Sequence, residues 1–322
     1  MTRPDQALAE RDDPAAVEAV IARVLGVYRR WRRDTPVVQM RADWDQLFGA
    51  DAVDAQVEPV AVGDLLGDWV VAPGADATRV MLYLHGGGFQ VGSAYSHREL
   101  MAGLSAACGC RVLGVDYRLA PGHRWPAAHD DALAAWEWLL SQGHDPQRLV
   151  MAGDSAGGNL VLGALLRLRD AGRPLPAGAV LLSPWTDMSA SGESYETRAA
   201  SDPIHQRPMI QAMARNYLGE GADARSPGVS PLFADLAGLP PLLLQVGDRE
   251  TVLSDATDFA RRAQAAGVDA RLQVADGMIH VFQQFPELAQ ARAARRAIGD
   301  FVRERLFAPA AASSSSATRH PT

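Results

Sequence analysis

From about residue 79 onward, short apolar runs alternate with longer stretches in which apolar positions recur every three or four residues. The short runs are typical of buried strands, and the longer spacing is typical of amphipathic helices. The predicted strands are "VMLYL" (80–84), "RVLGVDY" (111–117), "RLVMAG" (148–153), "AVLLSP" (179–184), "PLLLQVG" (241–247) and "ARLQVA" (270–275). Strands that alternate with helices predict an α/β fold with a mostly parallel central sheet and helices on both faces. Earlier in the chain, "AQVEPVAV" and "GDWVVAP" predict an antiparallel hairpin.

Two stretches do not fit this alternation. Residues 1–45 predict two helices, and residues 186–228 separate two core strands by more than a simple connection needs. Long insertions at the carboxyl ends of parallel strands usually form lids or substrate pockets. We therefore expect one domain over 46–307, a helical cap made from 1–45 and an insertion at about 186–228, and a disordered tail over 308–322.

Composition narrows the class of partner. The 322 residues are 48% hydrophobic and 21% charged, and the formal net charge is −7, which argues against nucleic acid. No apolar run approaches the length of a membrane span, and the first twenty residues lack the pattern of a signal peptide. We expect a cytoplasmic protein that does not bind membranes and acts on a small molecule.

The chain contains no lysine, and all 31 of its Lys and Arg residues are arginine. Schiff-base catalysis, lysine-bound pyridoxal phosphate and the lysine of a phosphate-binding loop are therefore excluded. The two cysteines, Cys108 and Cys110, are too few for a four-ligand zinc site and are expected to be free thiols.

The stretch "MAGDSAGGN" (151–159) lies between a predicted strand and a predicted helix, "NLVLGALLRLRDAG". Its centre, from Gly153 to Gly157, matches the G-x-S-x-G pattern of a sharp turn that exposes a serine hydroxyl. Small residues permit such a turn because bulky neighbours would collide with the adjacent strand or helix. Ser155 is therefore a candidate nucleophile.

A serine hydroxyl needs a base, and the base is oriented by an acid. In this fold class the order along the chain is serine, acid, histidine. His280, in "DGMIHVF", follows the last predicted strand and is the expected base, whereas His205 lies in the cap and His320 in the tail. The acid should follow the "PLLLQV" strand, where the residues leave two alternatives, Asp248 and Glu250.

The tetrahedral intermediate of acyl transfer also needs hydrogen-bond donors for its oxyanion. The glycine-rich segment "HGGGF" (85–89) directly follows the "VMLYL" strand. Consecutive glycines let backbone N–H groups approach a substrate closely. A phosphate-binding loop is the alternative, but neither of its glycine motifs follows, so we predict an oxyanion hole.

The motifs "HGGGF", "VDYRLAPGHRWPAAHDDA", "GDSAGGNL", "SPWTD" and "GMIHVF" resemble those of the hormone-sensitive-lipase-like group of α/β-hydrolases, the bacterial family IV esterases. The resemblance covers about residues 55–305 and implies an α/β-hydrolase fold. It implies that Gly87, Gly88 and Ala156 donate N–H groups to the oxyanion. It also implies that Tyr117, Arg118 and Pro121 brace the loop beneath the site.

The acid departs from the family pattern. The group usually has D-P-L-x-D-E here with the first aspartate catalytic, and an ungapped alignment places Glu250 on that aspartate. The resemblance therefore favours Glu250, while residue type favours Asp248.

Together these features imply a carboxylic ester hydrolase that needs no metal or cofactor. The resemblance, which extends to acetyl hydrolases and monoterpene lactone hydrolases of the same group, implies short- to medium-chain acyl esters as substrates, acetyl esters and lactones among them. Amide hydrolysis or acyl transfer on the same residues is the alternative, and a non-catalytic ligand-binding protein of the same fold is a second. A homodimer through the last strand is expected by analogy. The residues predicted to line the substrate pocket under the cap are Tyr28, Trp31, Trp185, Met209, Met213 and Tyr217. The alternative is that these side chains only attach the cap to the body.

Overall fold

The computed structural model describes residues 10–32, 34–49 and 52–307. Its centre is an eight-stranded sheet with the order β1-β2-β4-β3-β5-β6-β7-β8. The strands are β1 (Gln56–Val62), β2 (Leu65–Val71), β3 (Asp76–Leu84), β4 (Cys110–Asp116), β5 (Leu149–Asp154), β6 (Gly178–Leu182), β7 (Leu242–Gly247) and β8 (Ala270–Ala275). The six strands from β3 to β8 run parallel, while β1 and β2 form an antiparallel hairpin at one edge. The predicted mostly parallel sheet and its hairpin are confirmed.

Helices cover both faces of the sheet. The described residues contain the helices α1 (Pro14–Tyr28), α2 (Val37–Phe48), α3 (Arg98–Cys108), α4 (Ala127–Ser141), α5 (Ala156–Asp170), α6 (Ser194–Thr197), α7 (Arg207–Leu218), α8 (Leu253–Ala265) and α9 (Ala289–Leu306). Successive residues of a strand point to opposite faces. Accordingly, Leu82 and Leu84 pack with α4, α5 and α8, whereas Met81 and Tyr83 pack with α3 and α9.

The central strands are mostly apolar, as expected of strands whose two faces are both covered, and Asp154 of β5 and Gln245 of β7 are the polar exceptions. Every residue of β5, β6 and β7 is buried, which is typical of parallel strands between two helical layers. Their carboxyl ends are therefore held rigidly at one edge of the sheet. The predicted nucleophile, acid and base all follow strands that end at this edge.

The two stretches that interrupt the alternation supply helices near this edge. Helices α1 and α2 lie in the N-terminal stretch, and α2 ends three residues beyond the predicted boundary at 45. Helices α6 and α7 lie in the insertion at 186–228. The division into cap and body stays a prediction, and the tail at 308–322, predicted to be disordered, lies outside the described residues together with residues 1–9.

No helix in the described ranges is both long and apolar enough to cross a lipid bilayer. The two thiols, Cys108 and Cys110, are buried and not joined in a disulfide. Cys108 is the last residue of α3 and Cys110 is the first residue of β4, with Gly109 between them.

Candidate active site

The turn between β5 and α5 holds Ser155 in a strained backbone conformation. Its φ of 52° and ψ of −116° lie outside the regions that residues with a side chain usually adopt. The surrounding structure compensates through two backbone hydrogen bonds. The Ser155 N–H donates to the carbonyl of Leu182 over 2.8 Å, and the Ser155 carbonyl accepts from Trp185 over 3.0 Å. The end of β6 thus fixes the position of the serine.

The two glycines of the motif are required by close backbone contacts. A Cβ at Gly157 would lie 1.9 Å from the carbonyl oxygen of Leu84, and a Cβ at Gly153 would lie 2.6 Å from Gly157 backbone atoms. Neither neighbour is a flexible side chain that could move away. This turn between β5 and α5, the nucleophile elbow, therefore requires glycine at both positions, as the sequence pattern predicts.

The glycine-rich loop lies beside the serine at the end of β3. Gly87 and Gly88 have φ values of 107° and 60°, and Phe89 follows with a φ of 62°. Gly87, Gly88 and Ser155 line one cavity. Ala156 is the first residue of α5, where backbone N–H groups have no partner within the helix and the helix dipole favours negative charge. This arrangement can stabilise an oxyanion.

The loop is anchored to the buried carboxylate of Asp154, which directly precedes the serine. One Asp154 oxygen accepts from the Gly86 N–H over 2.9 Å and from the Tyr83 hydroxyl over 2.7 Å. The same oxygen lies 3.4 Å from Nε2 of His97. Burial raises the pKa of Asp154, but the charge and hydrogen bond of His97, the hydrogen bond from Tyr83 and the charge of His85 outweigh it and lower the pKa below its ordinary value. Asp154 therefore fixes the glycine loop relative to the serine, a role that the sequence did not reveal.

Of the residues expected to brace the loop, Tyr117 contacts the glycine-rich segment directly. The Tyr117 hydroxyl donates to the carbonyl of His85 over 2.6 Å, and the two rings stack with centroids 4.2 Å apart. Arg118 forms an ion pair with Asp131 at 2.7 Å. The chain therefore enters α4 along a fixed path below the loop.

Of the two candidate acids, the fold brings only Glu250 to the imidazole. Oε2 of Glu250 lies 2.6 Å from Nδ1 of His280, and the Glu250 side chain is fully buried. Asp248 is directed elsewhere, because its Oδ1 accepts from the backbone N–H of Gly277 over 2.7 Å. Nε2 of His280 is left available for the cavity, which His280 lines together with Ser155.

The second oxygen of Glu250 is held by Ser183, another residue that sequence reasoning did not single out. The Ser183 hydroxyl donates to Oε1 over 2.7 Å and accepts from the N–H of Val281 over 3.1 Å. The backbone N–H of Gly247 also donates to Oε1. Ser183 thus joins the acid to the residue after the base. Its position just beyond the end of β6 was the one signal in the sequence, within "SPWTD".

The environment of His280 favours its protonated form. Burial lowers the pKa of the imidazole, but the carboxylate of Glu250, through its charge and its hydrogen bond, and the charges of Asp202 and Asp154 outweigh this effect. The net pKa is raised above the ordinary value of 6.5. Such a histidine readily accepts a proton from a nearby hydroxyl.

The cavity above Ser155 has a volume of about 220 Å³. Five of the six predicted pocket residues line it, contributed by the N-terminal stretch, the segment after β6 and the insertion: Tyr28, Trp31, Trp185, Met209 and Met213. Trp44 and Phe48 of α2, which were not predicted, complete the wall. Gly88 meets Met213 closely, since a Cβ on Gly88 would lie 2.5 Å from the Met213 sulfur.

Tyr217 corrects the pocket prediction, because it does not line the cavity. Its ring is fully buried and stacks on Phe89 at a centroid distance of 3.9 Å. Its hydroxyl lies 2.7 Å from Nδ1 of His129, whose Nε2 lies 3.1 Å from the side-chain oxygen of Asn159 in α5. Tyr217 therefore attaches α7 to the body behind the glycine loop, as the alternative interpretation of these residues predicted.

His205, set aside as a base because it lies in the insertion, nevertheless reaches the site. Its ring packs edge-on against His280 with centroids 4.5 Å apart, and it lines the same cavity. Burial, and then the neighbouring His280, lower the pKa of His205 to about 3, so it is neutral at neutral pH.

Comparison with known proteins agrees with this geometry. Residues 81–284 match the family described as the alpha/beta hydrolase fold. The chain is 43% identical over 245 residues to an acetyl-hydrolase of Streptomyces hygroscopicus, which covers 76% of this chain and 81% of the relative. It is 37% identical over 242 residues to an esterase of Acinetobacter venetianus, which covers 74% of this chain and 80% of the relative.

A solved structure extends the likeness to three dimensions. An esterase of the bacterial hormone-sensitive lipase family superposes with a TM-score of 0.87 at 44% identity, covering 92% of this chain and all of the other. Relatives of this kind show that the protein is a carboxylic ester hydrolase. With its elbow, glycine loop and buried acid, the chain belongs to the hormone-sensitive-lipase-like, or bacterial family IV, esterases of the α/β-hydrolase superfamily.

Proposed function

We propose that this protein is a serine carboxylesterase that hydrolyses short- to medium-chain acyl esters through an acyl-enzyme intermediate. The observation that carries the proposal is the 2.6 Å contact of His280 with Glu250 in a cavity that also contains the strained Ser155. Glu250 accepts from Nδ1–H and leaves Nε2 as the basic nitrogen. This is the tautomer that can take a proton from a serine hydroxyl.

In the first half-reaction, Ser155 Oγ attacks the ester carbonyl carbon while His280 takes the hydroxyl proton. The carbonyl oxygen becomes an oxyanion that accepts hydrogen bonds from the N–H groups of Gly87, Gly88 and Ala156. The tetrahedral intermediate then collapses, the carbon–oxygen bond to the alcohol breaks, and His280 gives its proton to the departing oxygen. The acyl group remains on Ser155.

In the second half-reaction, water attacks the acyl-enzyme. His280 takes a proton from the water and returns it to Ser155 Oγ as the acid leaves. The charge of Glu250 stabilises the imidazolium in both steps. Ser183 and the Gly247 N–H hold the Glu250 carboxylate so that its other oxygen faces the imidazole.

The shape of the cavity supports short acyl groups. Its volume of about 220 Å³ is below the range of roughly 300–1,000 Å³ of typical drug-sized ligand sites. Bulky side chains such as Trp31, Trp44 and Met213 limit its extent. The similarity to an acetyl-hydrolase is consistent with this size.

A series of p-nitrophenyl esters tests both the chemistry and the pocket. We expect kcat/KM to be highest between the acetate and the hexanoate and to fall on the order of tenfold or more by the decanoate, because longer chains exceed the confined cavity. Release of p-nitrophenol is the measurement. A rate that rises steadily to the palmitate would contradict the proposed substrate range, and absence of turnover on every ester would contradict the proposed function.

The raised pKa of His280 sets the expected pH dependence. The neutral imidazole is the active base, so kcat/KM should fall as the pH drops through the pKa of His280. Because that pKa is raised, the midpoint on the acidic side should lie above 6.5. Rates of p-nitrophenyl acetate hydrolysis between pH 5 and 9, followed at a wavelength where the product's absorbance does not depend on pH, give the midpoint. A midpoint below 6.5 would show that Glu250 does not control the charge of His280.

A further inference from the structure

His205 is a buried polar side chain that the proposed triad does not use. The residue is 8% exposed, and its Nδ1 is buried without a hydrogen-bond partner in the described part of the chain. Its ring nevertheless lines the cavity and contacts His280 edge-on at 4.5 Å. Burial of an imidazole nitrogen without a hydrogen bond is unfavourable, so the position of this side chain needs an explanation.

The backbone around His205 is fixed rather than loosely packed. One carboxylate oxygen of Asp202 accepts from the N–H groups of Ile204 and His205, each over 2.9 Å. The other accepts from the N–H and the hydroxyl of Thr251, over 2.8 Å and 3.0 Å. Thr251 directly follows the acid Glu250. The insertion is thereby tied to the acid loop, and His205 is held next to His280.

A neutral imidazole offers one N–H donor and one acceptor nitrogen. Because the pKa of His205 is lowered to about 3, the ring has this character over the whole neutral range. The cavity wall is largely apolar, with Ile204, Val252 and Trp185 among its residues. The neutral polar side chains that also line it have protein partners, since Asn216 donates to Gln90 and Gln284 donates to the carbonyl of Ser96. His205 is thus a neutral hydrogen-bonding group in a mostly apolar surrounding.

The reaction defines which part of the substrate His205 faces. His280 must lie beside the departing oxygen, since it gives that oxygen its proton. The oxyanion donors of Gly87 and Gly88 face the carbonyl oxygen instead. Because His205 is in ring contact with His280 and lines the same cavity, we expect it to face the alcohol part of the ester.

We propose that His205 is a specificity-determining residue that binds a free hydroxyl on the alcohol part of the ester. The substrates that the site favours are then short-chain monoesters of diols and other polyols, in which a hydroxyl lies two carbons from the ester oxygen. This proposal rests on the proposed esterase function. It assigns a ligand to an imidazole that lines the cavity and whose Nδ1 has no hydrogen-bond partner among the described residues.

The test compares two acetates of nearly equal size, 2-hydroxyethyl acetate and n-propyl acetate, which differ by a hydroxyl in place of a methyl group. Acid release is measured by pH-stat for the wild type and for His205→Phe. The ratio of kcat/KM for the hydroxyethyl ester to that for the propyl ester should fall on the order of tenfold in the variant, mainly through KM. Differences in the intrinsic reactivity of the two esters cancel in this comparison.

Two further variants separate recognition from a structural role. His205→Asn keeps a donor and an acceptor and should retain most of the wild-type ratio, even if its overall activity falls. Met213→Leu, on the oxyanion side of the cavity, should leave the ratio unchanged. Loss of activity on both esters alike in His205→Phe would overturn the proposal, because a merely structural role does not alter the ratio.

The outcomes also distinguish this inference from the proposed function. Hydrolysis of both esters by the wild type with a ratio that does not change in His205→Phe would overturn only the role of His205. A fall of the ratio in Met213→Leu as large as in His205→Phe would do the same. Failure of the wild type to hydrolyse either acetate would overturn both proposals together.

Discussion

Replacing Ser155 with alanine is expected to lower kcat on p-nitrophenyl acetate by at least about 10,000-fold, with the fold unchanged. The variant removes the only atom that is proposed to form the acyl bond. What remains, the glycine loop and the cavity, can bind the ester but cannot attack it. Initial rates at saturating substrate, with circular dichroism and a melting curve to check folding, provide the measurement.

Ser141 offers a matched control for this experiment. It is an exposed serine at the end of α4, and its hydroxyl donates to the carbonyl of Trp138 over 2.7 Å and accepts from the Gln142 side chain over 3.4 Å. Ser141→Ala should retain the full rate. If Ser155→Ala kept more than a tenth of the wild-type kcat, Ser155 would not be the nucleophile and the acyl-enzyme mechanism would be wrong.

Replacing Glu250 with glutamine is expected to lower kcat by roughly 100- to 10,000-fold. The amide keeps the size of the side chain but removes the charge that stabilises the imidazolium. It also can present its NH₂ group to Nδ1, which favours the wrong tautomer of His280. The buried position of Glu250, with hydrogen bonds to both carboxylate oxygens, leaves no solvent to compensate for the lost charge.

Asp248→Asn is the control that decides between the two acids. The Asp248 carboxylate caps the Gly277 N–H, and the amide oxygen of asparagine can accept the same hydrogen bond. We expect kcat to stay within about threefold of the wild type. The opposite pattern, a large loss in Asp248→Asn and a small one in Glu250→Gln, would assign the acid to Asp248.

The sheet and the serine turn could be predicted because their causes are local. A parallel strand buried on both faces needs a continuous apolar run, and the turn at Gly153–Gly157 needs hydrogens where backbone atoms approach within 3 Å. Both requirements are visible in the residues themselves. The position of His280 followed from the same reasoning, because it comes directly after the last strand.

The choice between the two acids could not be made from residue types alone. Both follow β7, and their side-chain directions depend on the turn that places Asp248 against Gly277 and Glu250 against Ser183 and His280. These partners come from two other parts of the chain, the end of β6 and the loop after β8. Only the alignment with the family pattern favoured Glu250, the residue that the fold brings to the imidazole.

The pocket was the part least visible in the sequence. Tyr217 packs behind the glycine loop and His205 lines the cavity because of the way the insertion packs on the body. The spacing of apolar residues along the chain does not encode that packing. Asp154 and Ser183 were hidden for a similar reason. Each acts through contacts with residues far away in the chain, among them Gly86 for Asp154 and Val281 for Ser183.

The stacking of Tyr217 on Phe89 has a consequence for redesign. Phe89 is the last residue of the glycine loop, and the Tyr217 ring from α7 packs against it. The stacking therefore constrains the conformation of the loop backbone as well as the position of the insertion. Exchange of this insertion with that of another esterase would replace the ring that supports the proposed oxyanion loop together with the residues that line the pocket. In a chimera of this protein, the glycine loop and the insertion therefore have to be exchanged together, because Phe89 and Tyr217 pack against each other.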